Sequence, residues 1–307
     1  MLRFIIRRLI ITIPLILIVI SITWGLIRLA PGNFYSGEKR LPAGIEKNIR
    51  EKYGLDKPWH VQYGKMIWNI VRHGDFGTSL KYEGQSVNKI IWRSFPVSAT
   101  VGILAYLLAL IIGVTVGSIA ALKQNSRVDY ASMTLAMLGI SVPNFVLGPL
   151  LVLMFSLTLY WLPPSRWGGF PSWSLVLPVL TLSAIYMAYI ARLTRAGMLE
   201  VLRSDYIRTA RAKGLSEKTV LIRHALRGGL MPVVSYTGPA LAFLLTGTVV
   251  VERLFVLPGL GNYFIQASLN RDEPLLIGIV AFVAITLLLM NLLVDIAYAY
   301  LDPRVRY

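Results

Sequence analysis

The chain has 307 residues, of which 55% are hydrophobic and only 15% charged, and its mean hydropathy is +0.62. These values exclude a soluble globular enzyme, a disordered protein, a coiled coil and a collagen, because none of those states hides so much apolar surface. There is no cysteine for a disulfide framework, and the formal net charge is +16. The composition therefore places the chain in a lipid bilayer, and anionic lipid head groups rather than nucleic acid are the expected neighbours of its positive charge.

Six stretches lack Asp, Glu, Lys and Arg and are long enough to cross hydrocarbon as helices, for which about 20 apolar residues are needed. They are 9–27, 94–122, 130–165, 167–191, 228–251 and 274–294. The third stretch contains Pro143, Pro149, Pro163 and Pro164. We interpret it as one helix with a proline-bent start and a non-helical tail after Trp161. The first stretch is too long for a cleaved signal, so it predicts a retained first helix.

The distribution of Lys and Arg predicts the orientation of these spans. The N-terminus, the loops at 123–130 and 192–227 and the C-terminal tail together hold 16 basic residues, whereas the short segments on the opposite side hold four. The long loop at 31–97 is also basic, but loops of this length translocate largely regardless of charge. Both termini are therefore expected in the cytoplasm.

The chain divides into four predicted parts of an all-α integral membrane protein. Residues 1–30 form the first transmembrane helix, and 31–93 form a small external subdomain with short helices at 45–53 and 61–71. Residues 94–294 form a five-helix core that includes the cytoplasmic loop 192–228, and 295–307 are the end of the last helix and the tail. Gly113 and Gly117 form a GxxxG pair, which either permits close helix approach or reflects the general frequency of glycine in membrane helices.

Part of the cytoplasmic loop, 205–229, predicts a helix-turn-helix elbow. A short helix is stopped by Gly214, and a second helix is capped by Ser216 and ended by the pair at 228–229. The simplest interpretation is a solvated basic loop whose only effect is on the orientation of the chain in the membrane. However, the elbow carries apolar residues that a solvated loop does not need, namely Tyr206, Ile207, Leu215, Val220 and Leu221. They favour a docking surface for another protein.

The start of this elbow, YIRTARAKG at 206–214, resembles the EAA coupling loop of ABC-importer permeases, in the variant typical of peptide and nickel importers. Ala210 and Gly214 match the general motif, whereas Arg208 stands in place of its Glu and Thr209 in place of its first Ala. Further segments look like the B membrane subunit of oligopeptide importers. They are RLAPG at 28–32, HGDFGTSL at 73–80, AALKQN at 120–125, LPGLG at 257–261 and DPRVRY at 302–307.

The resemblance implies a type I ABC importer permease fold with six transmembrane helices. It also implies four partner chains: a second homologous permease subunit, two cytoplasmic ABC ATPases and an external peptide-binding protein. Peptide would pass between the two permeases. The residues implied in ATPase coupling are Tyr206, Ile207, Arg208, Thr209, Ala210, Arg211, Ala212, Lys213, Gly214 and Leu215. An external gate or binding-protein contact, or else a simple turn, is implied at Leu257, Pro258, Gly259, Leu260 and Gly261.

No catalytic, metal or cofactor site is expected within the chain. The only Gly-Lys pair is followed by Met66, so there is no phosphate-binding loop, and ATP and Mg²⁺ are expected on the partner ATPases. His73 has no partner at metal-ligand spacing and is interpreted as a loop residue. An intramembrane hydrolase is disfavoured because neither HExxH nor GxSxG occurs.

Two alternatives for transport remain open. In the first alternative the chain belongs to the same family, but the imported cargo is a dipeptide or nickel rather than an oligopeptide. In another class, an ion-coupled carrier needs inward-facing charges or broken helices at mid-membrane depth, and Asp295 is the one acid that interrupts the predicted spans. The position of Asp295 near the cytoplasmic end instead favours a structural role, in which its side chain snorkels to the membrane surface or pairs with a basic residue.

Overall fold

Twelve helices account for most of the described residues in this computed structural model, which describes 2–29, 54, 56–164 and 166–301. Near the N-terminus lie α1 (Leu2–Leu29), α2 (Trp59–His73), α3 (Val87–Leu122), α4 (Arg127–Ser141) and α5 (Asn144–Leu151, continued by a π-helical segment, Val152–Thr158). The middle contains α6 (Val176–Leu202), α7 (Asp205–Ala212) and α8. Helix α8 is formed by three helical segments that follow one another without a break, Glu217–Thr219, the π-helical Val220–Ala225 and Leu226–Gly229. The last four are α9 (Met231–Leu245), α10 (Val249–Leu254), α11 (Leu260–Leu269) and α12 (Glu273–Leu301).

The predicted membrane spans are present, with different ends. Five described segments are long and apolar enough to cross a bilayer, and a bent helix pair makes a sixth. The five are Ile10–Leu29, Val87–Leu122, Trp173–Leu202, Met231–Leu254 and Glu273–Ala297. The predicted boundary between the external subdomain and the five-helix core, at 93–94, falls inside α3. The predicted start of the cytoplasmic loop, at 192, falls inside α6. Helix α2 covers the predicted helix at 61–71, whereas the predicted helix at 45–53 lies outside the described residues.

The third span differs from its prediction. It is not one helix with a bent start, because α4 and α5 meet at 103°. Val142 and Pro143 are both extended, with ψ of 113° and 144°. A residue that precedes proline is disfavoured in the helical region, so the chain leaves one helix here and begins another. The predicted non-helical tail is confirmed, since the helical segment ends at Thr158.

Helix α3 packs closely against α6 through the GxxxG pair. A Cβ atom added at Gly113 would come 2.8 Å from the Cβ of Ile190, and one added at Gly117 would come 2.7 Å from the Cβ of Thr194. Only glycine permits this approach of two helix backbones. The motif therefore acts in packing within this chain.

Helices α1 and α12 run antiparallel and are joined by an ion pair at each end. At the cytoplasmic end, Arg8 Nη1 lies 2.6 Å from Asp295 Oδ2. At the outer end, Arg28 Nη2 lies 3.1 Å from Glu273 Oε2. The Asp295 carboxylate is thus paired with a basic side chain of a neighbouring helix, as the structural interpretation of this acid expects.

Candidate functional site

The cytoplasmic elbow, residues 205–229, is attached to the membrane helices by one apolar face. Ile207 and Ala210 are buried, and their spacing of three residues puts them on the same side of α7. Their side chains join a buried cluster whose other members are Ala121, Met198, Val220 and Ala225. The elbow is therefore fixed to the cytoplasmic ends of α3 and α6.

The predicted turn between the two helices of the elbow is confirmed. Gly214 has a φ of +74°, and its N–H donates to the Arg211 carbonyl at 2.9 Å. A Cβ at this position would meet no atom within 4 Å, so the backbone angle rather than space calls for glycine. Ser216 caps the second helix by accepting a hydrogen bond from the Thr219 N–H.

The outer face of the elbow is polar and charged. Arg211 binds Glu217 across the turn through two hydrogen bonds, from Nε to Oε1 at 2.8 Å and from Nη2 to Oε2 at 3.2 Å. Arg208 pairs with Asp205 one turn earlier. Exposed ion pairs contribute little stability, so this face is available for contacts with another chain. The other exposed members of the predicted coupling set are Tyr206, Thr209, Ala212, Lys213, Gly214 and Leu215.

The structure corrects one part of the docking interpretation. Ile207 and Val220 are fully buried within this chain, so their apolar character is explained by attachment of the elbow and needs no partner. Tyr206 and Leu215 are different, since 49% and 39% of their surfaces are exposed. Of the apolar residues on which the docking interpretation rests, Tyr206 and Leu215 are therefore the exposed ones.

A buried ion pair next to the elbow was missed by sequence reasoning. Asp129 accepts hydrogen bonds from Arg195 Nε at 2.6 Å and from Arg195 Nη2 at 2.7 Å, and also from the Asn125 N–H at 3.0 Å. The pair joins the first turn of α4 to α6. The available signal was Ser126 three residues before Asp129, a pattern typical of a helix start, but it does not identify Arg195 as the partner.

The outer segment 257–261 forms a buried turn. Leu257, Gly259, Leu260 and Gly261 are buried, and only Pro258 of the five is exposed. A Cβ at Gly259 would collide with the carboxylate of Glu252, and one at Gly261 would come 2.8 Å from the Val249 nitrogen. These contacts favour the turn interpretation over a surface for an external protein.

Glu252 organises this turn and was also missed. Its side chain is only 3% exposed, and it accepts hydrogen bonds from Ser98 Oγ at 2.7 Å and from the Asn262 N–H at 3.1 Å. Ser98 Oγ in turn accepts from the Leu260 N–H at 2.9 Å. The network ties α3, α10 and the start of α11 together. Its sequence signal is a single acid just after the predicted fifth span, which resembles an ordinary charged flank.

A second buried acid, Asp272, anchors the loop before α3. It accepts hydrogen bonds from Ser79 Oγ, from the Leu80 N–H at 3.1 Å and from the Lys81 N–H at 3.2 Å. Burial and the nearby Tyr263 and Asp272 raise the pKa of Tyr82 in the same loop. His73 lies exposed in the last turn of α2, so it belongs to a helix end rather than to the loop where it was predicted.

The chain is similar to known transport proteins along its whole length. Residues 113–307 match a family described as binding-protein-dependent transport system inner membrane component, and residues 1–102 match the N-terminal family of such membrane components. The oligopeptide transport system permease protein OppB of Salmonella typhimurium is 47% identical over 307 residues, which cover 100% of both chains. The dipeptide transport system permease protein DppB of Bacillus subtilis is 42% identical over 306 residues, covering 100% of this chain and 98% of the other.

A solved structure shares the fold. The MetNI methionine ABC transporter in an inward facing conformation aligns with this chain with a TM-score of 0.59 at 15% identity. The alignment covers 70% of this chain and 97% of the solved chain. At this identity the likeness concerns the arrangement of helices alone.

Proposed function

Because the chain belongs to the family of binding-protein-dependent transport system inner membrane components, we propose that it is the oligopeptide permease subunit of an ATP-driven importer. It is a multi-pass inner membrane protein and a non-catalytic subunit that works with ATPase and binding-protein partners. The observation that carries the oligopeptide assignment is 47% identity to an oligopeptide permease over the full length of both chains. The dipeptide permease is a less similar relative, at 42% identity.

The proposed assembly has this chain forming half of a translocation pathway. A second, homologous permease supplies the other half, two ABC ATPases bind ATP and Mg²⁺ in the cytoplasm, and an external peptide-binding protein delivers cargo. The acid that an ion-coupled carrier would use, Asp295, is paired with Arg8 near one end of the last span, which favours the importer over that alternative.

We propose that the elbow couples this chain to an ATPase. The support is its two-sided construction: Ile207 and Ala210 fix the inner face of α7 to the protein, while Tyr206 and the charged side chains point outward. When a partner displaces the exposed side of a helix, the displacement is transmitted to the helix packed against its buried side, because protein interiors deform little. In this chain the helix beneath is α6, which crosses the membrane.

The test is the variant Gly214→Val in the purified complex, reconstituted with its ATPases and binding protein. A β-branched residue at a φ of +74° is strained, so the turn must rearrange. We expect normal insertion and continuing ATP hydrolysis, with peptide uptake per ATP reduced by on the order of tenfold because the strained turn no longer holds the outer face of the elbow in place.

Gly74→Val is the matched control. Gly74 also ends a helix at positive φ, +61°, and a Cβ there meets no atom within 4 Å, but it lies on the outer side of the protein. Its uptake per ATP should stay near the wild-type value. Unchanged coupling in Gly214→Val contradicts the role of the elbow, whereas a wild-type complex without ATP-dependent oligopeptide uptake contradicts the proposed function itself.

A further inference from the structure

Helix α6 has one face that the described part of the chain leaves uncovered. One side packs against α3 at Gly113 and Gly117, and another packs against α4, where a Cβ at Gly139 would lie 2.6 Å from the Ala184 carbonyl oxygen. The remaining side carries Tyr189, which is partly exposed, and Arg192, which is exposed. This face lies within the membrane span Trp173–Leu202.

Helix α9 has a similar uncovered face beside it. A Cβ at Gly238 would lie 3.0 Å from Asn291 Oδ1 of α12, which identifies one packed side. Other side chains of α9 remain outside this contact: Ser235, Pro239 and Phe243 are exposed, and Tyr236 is partly exposed. The two helices meet at Tyr236, whose ring contacts the ring of Tyr189 on α6.

Three partly buried tyrosines meet where these two faces join, and we call Tyr186, Tyr189 and Tyr236 the tyrosine cluster. Tyr186 and Tyr236 also pack against the hydrophobic core of the chain. The ring centroids of Tyr189 and Tyr236 are 5.8 Å apart, and those of Tyr186 and Tyr236 are 6.3 Å apart. The guanidinium carbon of Arg192 lies 5.2 Å from the centre of the Tyr189 ring. The cluster thus combines aromatic faces, hydroxyl groups and a cation at its cytoplasmic end.

The hydroxyl groups of the cluster do not suit contact with lipid. Among the described residues none of the three has a hydrogen-bond partner, although all three lie on membrane-spanning segments. An unpaired hydroxyl is costly in hydrocarbon, and polar side chains in membrane helices usually face a protein interior or a water-filled cavity. By comparison, Tyr106 is buried in this chain and its hydroxyl lies 2.5 Å from Thr237 Oγ1.

Helix α1 has the kind of exposed surface expected to contact lipid. Its strongly exposed side chains through the span are aliphatic, namely Ile10, Ile11, Ile13, Ile18, Ile22 and Leu26. None of these can form a hydrogen bond. The contrast with the uncovered surface of α6 and α9 indicates that the cluster faces an aqueous passage.

We propose that the tyrosine cluster contacts the main chain of a peptide in transit, an inference that rests on the proposed function. Peptides of different sequence share their amide groups, and a phenol hydroxyl both donates to a carbonyl and accepts from an N–H. The ring faces accommodate side chains of varied shape. Arg192 adds a positive charge that attracts the terminal carboxylate of the peptide.

The test is site-specific photocrosslinking with a radiolabelled oligoalanine peptide, which offers mainly amide groups and termini. Photoreactive benzoylphenylalanine replaces Tyr189 or Tyr236 in the reconstituted complex, and replaces Ile18 on α1 as the control. We expect ATP-dependent labelling of this chain at the two cluster positions and none at Ile18. Crosslinks only to lipid or to the second permease overturn the proposal.

A second measurement separates this proposal from the proposed function. Tyr236→Phe removes one hydroxyl and keeps the ring, so we expect the apparent affinity for oligoalanine in uptake to fall by roughly 3- to 10-fold while ATP hydrolysis continues. Tyr130→Phe removes an exposed hydroxyl outside the cluster and should have no such effect. If the wild-type complex takes up peptide, but Tyr236→Phe has unchanged kinetics and no peptide crosslink forms, the role of the tyrosine cluster is rejected. The proposed function of the chain is not affected by that result. A wild-type complex that takes up no peptide rejects the function on which it rests.

Discussion

At the scale of single residues, the Glu252 carboxylate is held by a hydroxyl and a backbone N–H. The Ser98 hydroxyl and the Asn262 N–H both donate to it, and the Leu260 N–H donates to the same Ser98 oxygen. Removal of the carboxylate takes away the acceptor of the buried Ser98 hydroxyl and of the partly buried Asn262 N–H. The loss of a partner costs about 1–3 kcal/mol for each buried group left unsatisfied.

We therefore expect Glu252→Ala to lower the thermal unfolding midpoint of the detergent-solubilised protein by several degrees. Glu252→Gln keeps one acceptor oxygen and should lose less stability. Glu83→Ala is the control, because Glu83 is an exposed acid in an outer loop and its removal should leave the midpoint nearly unchanged. Equal midpoints for Glu252→Ala and Glu83→Ala would show that the network does not stabilise the protein.

The separation of interacting residues along the chain explains which site residues could be predicted from the sequence. Gly214 and Ser216 were identifiable, because a helix stop and a helix cap depend on residues close in the chain. The partners of Glu252 and Asp129 were not, because Ser98 and Arg195 are 154 and 66 positions away from them. No local pattern connects such residues, so only the folded chain pairs them.

At the scale of helices, the close approach of α3 and α6 depends on the absence of side chains at Gly113 and Gly117. Helices in a membrane gain stability from packing rather than from leaving water, so interhelical distance matters strongly. The sequence displayed the GxxxG pair but gave no basis for choosing between a packing role and a neutral one. The choice follows from the position of Ile190 and Thr194 directly opposite.

We expect Gly117→Ala to force α3 and α6 apart and to destabilise the protein by about 1–3 kcal/mol, the usual cost of overpacking. The measurement is the unfolding midpoint in detergent, together with the yield of inserted protein. Gly25→Ala is the matched control within a membrane helix, since a Cβ there meets nothing within 4 Å and alanine favours helix. A Gly117→Ala protein as stable as Gly25→Ala would contradict the packing role.

The break between α4 and α5 shows the limit of prediction at this scale. The prolines of the third stretch predicted a disturbance, and Val142 and Pro143 do leave the helical conformation. However, a proline restricts dihedral angles without fixing the direction in which the next helix points. The angle of 103° between α4 and α5 is therefore known only from the folded chain.

At the scale of the whole molecule, the distribution of basic residues predicts that the elbow lies in the cytoplasm and the loop before α3 lies outside. The chain contains no cysteine, so one introduced cysteine is a unique label. Glu83 and Lys218 are both exposed and lie on the two predicted sides. Glu83→Cys should react with a membrane-impermeant maleimide in cells whose inner membrane is intact.

Lys218→Cys should react with the same reagent only after the inner membrane is permeabilised. The labelled fraction on a gel measures both reactions. Labelling of Lys218→Cys in intact cells, with Glu83→Cys protected, would reverse the orientation and place the elbow away from any cytoplasmic ATPase.

The sequence by itself determined the membrane location, the six apolar stretches and the elbow, and it predicts the orientation. Each of these follows from composition or from neighbours along the chain, because hydrocarbon selects apolar stretches and caps act within one helical turn. The tertiary structure decided which apolar residues of the elbow face inward, which acids are buried and where the tyrosines meet. Those outcomes depend on contacts between helices far apart in the chain, and such contacts exist only once the helices have packed.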